Sequence, residues 1–580
     1  MTILAMEERL LTMSKLKWWQ EAVFYQIYPR SFADGNGDGI GDIRGMIEKL
    51  DYLQDLGIDA VWLSPHYPSP QVDYGYDVAD YTDVEPEYGT LAEFKTFLAE
   101  AHRRGIRVIV DFVPNHSSDQ HPWFIESRSS RDNPKRDWYV WCDPGPDGGP
   151  PNNWESVFTG SVWEYDEITD QYYYHMFLKE QPDLNWRNPE VKAAMWAAVR
   201  FWLDVGVDGF RLDAIRTIFE DPDMSDETSD VGLVELYLMA DEAETPEERR
   251  AVAEKREEKF RHQVNQPELH PLFQELRRLV DSEYDGRVLV GETETIEFYG
   301  DGQNELHLVF NFPLMKTDRL TPRHIRKNQE ERLSKLPDRA WPCNTLGNHD
   351  SPRACSRYGD GKHDEELARL SLALVLTLRG TPFLYNGEEI GMTDLIVDDV
   401  DQLRDTLALR LYEAAVEVAG LPADEAFERI RHTTRDTCRS PMQWAPGPNA
   451  GFSPAGVATW LPVHENHSEG INVADQQVDP NSMLSFYKRM LAMRTGTPAL
   501  IAGDQTMLHG DAEDYVAFVR STREQTCLVV LNFSADAHVL TFELDRKIAS
   551  PVFSTRERAG RDDLSALQIA PFEVYIAELT

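Results

Sequence analysis

The stretch Val207 to Ala214 places Arg211 and Asp213 two residues apart in a short run with Gly209, Phe210 and Leu212. Read as a strand, that spacing sends both charged side chains to one face. Charges on a core strand carry a large desolvation cost unless they are paired or used. Two uses fit: a structural ion pair at a strand end, or a carboxylate kept ionised by the guanidinium and available as a nucleophile. Other apolar runs end in similar residues. Asp111 closes one, with Asn115 and His116 just beyond; Glu292 follows Gly291; Asn348, His349 and Asp350 follow another. One strand-end Asp is most often a cap or loop residue. Several carboxylates and two histidines at successive strand ends form a set able to supply acid, base and nucleophile.

Such a set needs elements that bring strand ends together. From residue 23 the chain alternates short apolar runs with amphipathic stretches, the pattern of βα units around a parallel sheet. Strands are expected at 23–28, 60–63, 108–112, 209–212, 288–290, 308–310, 344–346 and 383–385, with helices at 43–56, 91–104, 191–204, 271–281 and 365–378. That many parallel strands predict a closed (β/α)8 TIM barrel, in which functional residues gather at the C-terminal strand ends. A Pro-, Gly- and aromatic-rich span, 113–176, interrupts the rhythm as an inserted domain; the barrel then takes 1–112 and 177–500. Two further insertions lie near 219–267 and 393–444. The first holds a capping-box start at Thr245-Pro246-Glu247-Glu248 and a Glu/Lys/Arg-rich run, expected as a solvated helix over the barrel mouth without chemistry of its own. Residues 501–580 read as a small antiparallel β-sandwich domain, with strands at 515–520, 526–532, 538–544 and 572–578.

A net charge of −42 over 580 residues argues against nucleic acid as a partner. Cys142, Cys343, Cys355, Cys438 and Cys527 are odd in number and scattered, which predicts free thiols in a reducing, cytoplasmic setting. Residues 1–17 lack a charged-then-apolar signal pattern, and no apolar run is long enough for a membrane span. Either a monomer or a homodimer is expected. No His/Cys cluster points to a transition metal, and no organic cofactor is implied.

The segments DFVPNH (Asp111 to His116), GFRLD (Gly209 to Asp213), GETE (Gly291 to Glu294) and NHD (Asn348 to Asp350) resemble, in order, four conserved regions of the α-amylase family, glycoside hydrolase family 13. Gln181 to Asn185 (QPDLN) resembles a fifth region as found in the oligo-1,6-glucosidase and α-glucosidase branch. The resemblance runs from Trp18 to the C-terminus. It implies a barrel with a B domain after the third strand, a C-terminal β domain, and retaining α-glucoside chemistry. By this resemblance Asp213 is the nucleophile held ionised by Arg211, Glu292 the general acid and base, and Asp350 a carboxylate that grips sugar hydroxyls. His116 and His349 are then hydroxyl-binding residues, Tyr76 a ring that stacks on the sugar, and Phe158 and Phe177 apolar walls. Asp73 with Arg439 resembles a pair closing the pocket beyond the sugar's non-reducing end. In this branch Val after the nucleophile accompanies α-1,6 preference; here Ala214 favours α-1,4 substrates such as maltose.

Asp34-Gly35-Asn36-Gly37-Asp38-Gly39-Ile40-Gly41-Asp42 resembles the first nine positions of a calcium loop, although Gly45 stands where a twelfth-position Glu is expected. Related α-glucosidases bind one structural Ca2+ or Mg2+ in such a loop, which implies Asp34, Asn36, Asp38, the Ile40 carbonyl and Asp42 as ligands. Two departures stand out: Asn386 replaces the branch's usual Gln, and the acidic insertion is unusual; both are expected to flank the aglycone side. The function expected is exo-acting release of glucose from short α-1,4-glucosides, with transglucosylation accompanying or competing. The alternative is a glucosyltransferase, or a relative acting on sucrose, trehalose or isomaltose. A catalytically dead relative, like the heavy subunits of amino-acid transporters, is disfavoured because the three carboxylates are present and no span is seen.

Overall fold

The computed structural model describes residues 16–243 and 245–580; the N-terminal reading above falls mostly outside them. β1 (Phe24–Ile27), β2 (Ala60–Leu63) and β3 (Arg107–Phe112) open the barrel. β4 (Trp141–Cys142), β5 (Trp163–Asp166) and β6 (Gln171–Tyr174) form a separate antiparallel sheet. β7 (Gly209–Leu212), β8 (Val288–Gly291), β9 (Leu308–Val309), β10 (Cys343–Thr345) and β11 (Thr381–Tyr385) complete it. The 8-stranded parallel sheet runs β10-β11-β1-β2-β3-β7-β8-β9. Its two ends meet at a seam stapled by side chains: Cys343 Sγ donates to the Val309 carbonyl (3.3 Å) and Asn311 Nδ2 to Asn344 Oδ1 (3.0 Å).

Local sequence explains the elements that matter for the site. Helix Pro189–Val205 starts with an Asn188 cap and Pro at its first turn, and stops at Gly206, whose φ of 113° is left-handed. It feeds β7, which begins at Gly209; a Cβ there would lie 2.1 Å from the Val288 carbonyl oxygen. Only glycine lets β7 and β8 approach at that point. Phe24, Trp62, Val290, Phe310 and Phe383 fill the barrel interior as an aromatic floor beneath the strand ends.

Some expectations need correction. The helix expected at 43–56 is two, Ile43–Glu48 and Leu50–Leu56, parted at Lys49. The acidic insertion is no free-standing cover. Helix Pro246–Lys259 is largely exposed, but Leu233 and Phe260 on either side of it are buried with Trp154, Trp163 and Tyr174 of the inserted domain. Lys259, also buried, lies 3.4 Å from Glu155. In the C-terminal domain a six-stranded sheet, β12 (Asp504–Leu508), β13 (Tyr515–Ser521), β14 (Thr526–Asn532), β19 (Val574–Leu579), β16 (Ile548–Ser554) and β17 (Asp562–Asp563), faces the pair β15 (His538–Leu540) and β18 (Leu567–Ile569). β16 escaped the sequence reading because Pro551 sits inside it, where the register shifts.

His66, after β2, is fully buried against Phe94, Tyr67 and Trp202, and neither ring nitrogen has a hydrogen-bond partner. Burial lowers its pKa to about 3. A histidine whose folded pKa lies below its unfolded value contributes stability above about pH 6.5 and loses it as pH falls toward 3. His66→Leu, which removes both orphaned nitrogens, should therefore raise Tm in calorimetric scans, and by more at pH 5 than at pH 8.

Candidate active site

The register of β3 against β7 sets Asp111 beside Arg211 at the barrel rim. Arg211 Nη1 lies 2.6 Å from Asp111 Oδ1 and 2.6 Å from Asp213 Oδ1, and its Nη2 lies 3.1 Å from Glu292 Oε2. One guanidinium thus serves three carboxylates, and it rests over the Trp62 ring of the floor at 5.1 Å. Exposure sorts them. The Arg211 and Asp111 side chains are 2% and 0% exposed, against 10% for Asp213, 27% for Glu292 and 31% for Asp350. Asp111 is sealed in as a support; the other three open to the pocket.

The electrostatics are richer than a nucleophile held ionised by one arginine. Burial, then Glu292, push the Asp213 carboxyl above the ordinary carboxylate range, against the pull of Arg211. Burial leaves Asp111 at about 7 despite Arg211 and Trp62. Crowding around one cation thus works against the charged forms of Asp111 and Asp213, and Arg211 works for them. Asp350 behaves oppositely: burial would raise it, but Arg439, Arg435 and Arg211, with the His349 ring 3.3 Å away, hold it well below the usual range.

Ala214 takes a left-handed conformation, φ 46°, and that turn aims its N–H at Glu292 Oε2 (2.8 Å). Strain of this kind persists where the surrounding structure fixes it. The residue read as a linkage determinant thus also anchors the neighbouring carboxylate through its backbone.

His349 is sandwiched between the rings of Tyr76 and Tyr28, each 5.6 Å away. Gln26 Nε2 donates to its Nδ1 (2.7 Å), so Nε2 carries the proton and faces Tyr76 Oη (2.5 Å) and Asp350 Oδ2 (3.3 Å). Burial lowers both His349 and His116 to about 3, leaving them neutral. His116 Nε2 lies 3.1 Å from Gln181 Nε2, and its ring packs on Phe177 at 5.1 Å. Gln26, a polar residue in the buried strand FYQI, carried a signal that the sequence reading passed over.

Asp73 pairs with a different arginine from the one expected. Asp73 Oδ1 lies 2.9 Å from Arg435 Nη2, and Arg439 Nη2 instead binds Asp350 at 2.6 Å while its Nε donates to the His349 carbonyl. Two arginines four residues apart flank one 3-10 turn, Arg435–Thr437, and spacing alone does not tell which reaches the pocket's end. Phe158 lies under the Arg435 guanidinium at 5.7 Å and meets Phe177 edge-on at 6.0 Å. Asn386 is fully buried and its Oδ1 accepts from the backbone N–H of Tyr28, whose ring stacks on His349.

In the Asp34–Asp42 loop, Asp34 accepts from the N–H groups of Gly37 and Gly39 (2.6 and 2.9 Å) and Asp38 from Ile40. Asp42 Oδ1 accepts from Gly45 N–H, while its buried Oδ2 has no partner. Among the described residues no three His, Cys, Asp or Glu side chains converge on a metal position. The all-oxygen donor set and the orphaned Asp42 oxygen fit a hard divalent cation, and the carboxylates of Asp34 and Asp38 keep lone pairs beyond the N–H bonds they accept.

Known proteins resemble this arrangement closely. Residues 26–503 match the family described as alpha amylase, catalytic domain. The oligo-1,6-glucosidase of Parageobacillus thermoglucosidasius is 41% identical over 97% of this chain and 99% of its own length. The probable alpha-glucosidase of Rhizobium meliloti (strain 1021) is 40% identical over 92% of each. The trehalulose synthase of Pseudomonas mesoacidophila MX-45 superposes with a TM-score of 0.87 at 38% identity, covering 98% of this chain and 100% of that one. An isomaltulose synthase from Erwinia rhapontici NX5, solved with its natural substrate sucrose, gives 0.86 at 36% over 98% and 100%. With its barrel, its strand-end carboxylates and these relatives, the chain belongs to the α-amylase family of glycoside hydrolases, within its α-glucosidase branch.

Proposed function

We propose that the chain is a retaining, exo-acting α-glucosidase that releases glucose from maltose and short α-1,4-glucosides. The observation that supports this reading is the Asp73–Arg435 ion pair, with Asp350 and His349 next to Arg435 and Asp213 and Glu292 on the same barrel rim. A pocket closed in this way takes one terminal sugar and refuses a threading polymer. Holding Asp213 and Glu292 on one guanidinium fits the separation of about 5–5.5 Å that double displacement requires.

In this reading Glu292 gives its proton to the leaving glycosidic oxygen while Asp213 attacks the anomeric carbon, forming a glucosyl ester. Glu292, now ionised, takes a proton from water, which opens the ester from the same side. Arg211 stabilises Asp213 as it leaves the sugar. Asp350, kept ionised by its cationic neighbours, accepts from ring hydroxyls as the sugar distorts. His116 and His349, both neutral, can donate to hydroxyls without adding charge.

Ala214 supports the α-1,4 lean, against the 1,6 linkage in the names of several relatives. A second reading is transfer or isomerisation, with a sugar replacing water at the glucosyl ester; the 38% identity to a trehalulose synthase favours it. One Ca2+ or Mg2+ held by Asp34, Asn36, Asp38, the Ile40 carbonyl and Asp42 would brace the loop electrostatically. All five cysteines are unpaired, in keeping with a cytoplasmic protein. Among the described residues no helix is long and apolar enough to cross a membrane.

Chromatography of products from maltose, isomaltose, sucrose, trehalose and soluble starch tests the reading: glucose from maltose with little from starch is expected. Longer glucosides, or an isomer of sucrose, would favour the second reading, and rapid starch breakdown would contradict the closed pocket. Asp213→Asn should lower kcat by about 10^4-fold or more while sugar binding, followed by calorimetry, persists.

A further inference from the structure

Arg435 lies in the insertion near 393–444 and is itself held by an earlier residue of that insertion. Its Nη2 and Nε lie 2.6 and 2.9 Å from Asp405 Oδ1, and its backbone N–H donates to Asp405 Oδ2 at 2.9 Å. Asp405 belongs to the insertion near 393–444 and caps helix Thr406–Glu417 through Leu407 N–H. Its side chain is 1% exposed. The same turn is tied down twice more. Asp436 accepts from the backbone N–H groups of Arg404 and Asp405 (2.6 and 2.9 Å), and Thr406 Oγ1 donates to the Val72 carbonyl (2.6 Å), next to Asp73.

A guanidinium offered several carboxylates settles on the one presented best. Arg435 touches Asp405 and Asp73, while Asp350 stays 3.7 Å from its Nη1, beyond hydrogen-bond reach. The two guanidinium bonds to Asp405 hold the cation away from Asp350, so Arg439 is the arginine that Asp350 meets directly.

We propose that Asp405 is a positioning residue for the sugar pocket: it holds Arg435 across the pocket's end and keeps it off Asp350, which is thereby left to the hydroxyls of a terminal glucose. The insertion, rather than the barrel, then sets how deep a sugar sits. The identity of that sugar rests on the exo-glucosidase reading. With the Asp405 charge removed, Arg435 falls onto Asp350 and competes with the sugar, whereas Asp213 and Glu292, which do the bond chemistry, are untouched.

The test compares the full chain with Asp405→Asn and with Thr406→Val, which cuts the tie to Val72 without changing charge. Calorimetric titration with glucose and steady-state kinetics on p-nitrophenyl α-glucoside are the readouts. For Asp405→Asn, glucose binding should weaken and KM rise by about tenfold, with kcat changed far less; Thr406→Val should leave both near the wild-type values. If Asp405→Asn fails to fold, Asp405→Glu, which keeps the charge but displaces the guanidinium, should show the same loss weighted to KM. Unchanged glucose affinity and KM in the Asp405 variant would overturn the proposal, as would an equal loss in Thr406→Val. A wild type that binds no glucose would overturn the exo-glucosidase reading and this one with it.

Discussion

The site depends on one shared cation. Arg211 is buried, lies over Trp62, and divides its guanidinium among Asp111, Asp213 and Glu292. Burial pushes the Asp111 and Asp213 carboxyls up, and Arg211 pulls them down. The fold around it serves to hold the charges in place: β3 and β7 in register, glycine at the start of β7, and aromatic rings below.

The barrel was legible because strands buried on both faces read as short apolar runs, and their predicted limits match β1 to β11, apart from the inserted β4 to β6, to within about two residues. The polar residues at strand ends were legible for the opposite reason, since nothing in a core explains them. What the sequence hid were choices made by three-dimensional packing. Arg435 and Arg439 are equivalent in spacing and differ only in which way a single turn presents them. Asn386 reads as a rim residue but is sealed behind Tyr28. Pro551 masks a real strand at a bulge.

The acidic insertion shows the same limit. Its charge pattern reads as a solvated helix, and helix Pro246–Lys259 is one. The flanking apolar residues, too few to stand out in composition, lock it to the inserted domain, and Tyr237 also packs against the insertion near 393–444. Arg429 of that second insertion pairs with Asp241 and Glu242 of the first. The three additions to the barrel therefore touch one another, and the one near 393–444 carries Arg435.

The most direct test of the account is the configuration of the first sugar released, followed by proton NMR within the first seconds to minutes of p-nitrophenyl α-glucoside hydrolysis, before mutarotation. Double displacement through Asp213 and Glu292 predicts α-glucose first, with the β-anomer growing in later. Initial release of β-glucose would mean direct attack by water, and would contradict the role assigned to Asp213 on the shared guanidinium.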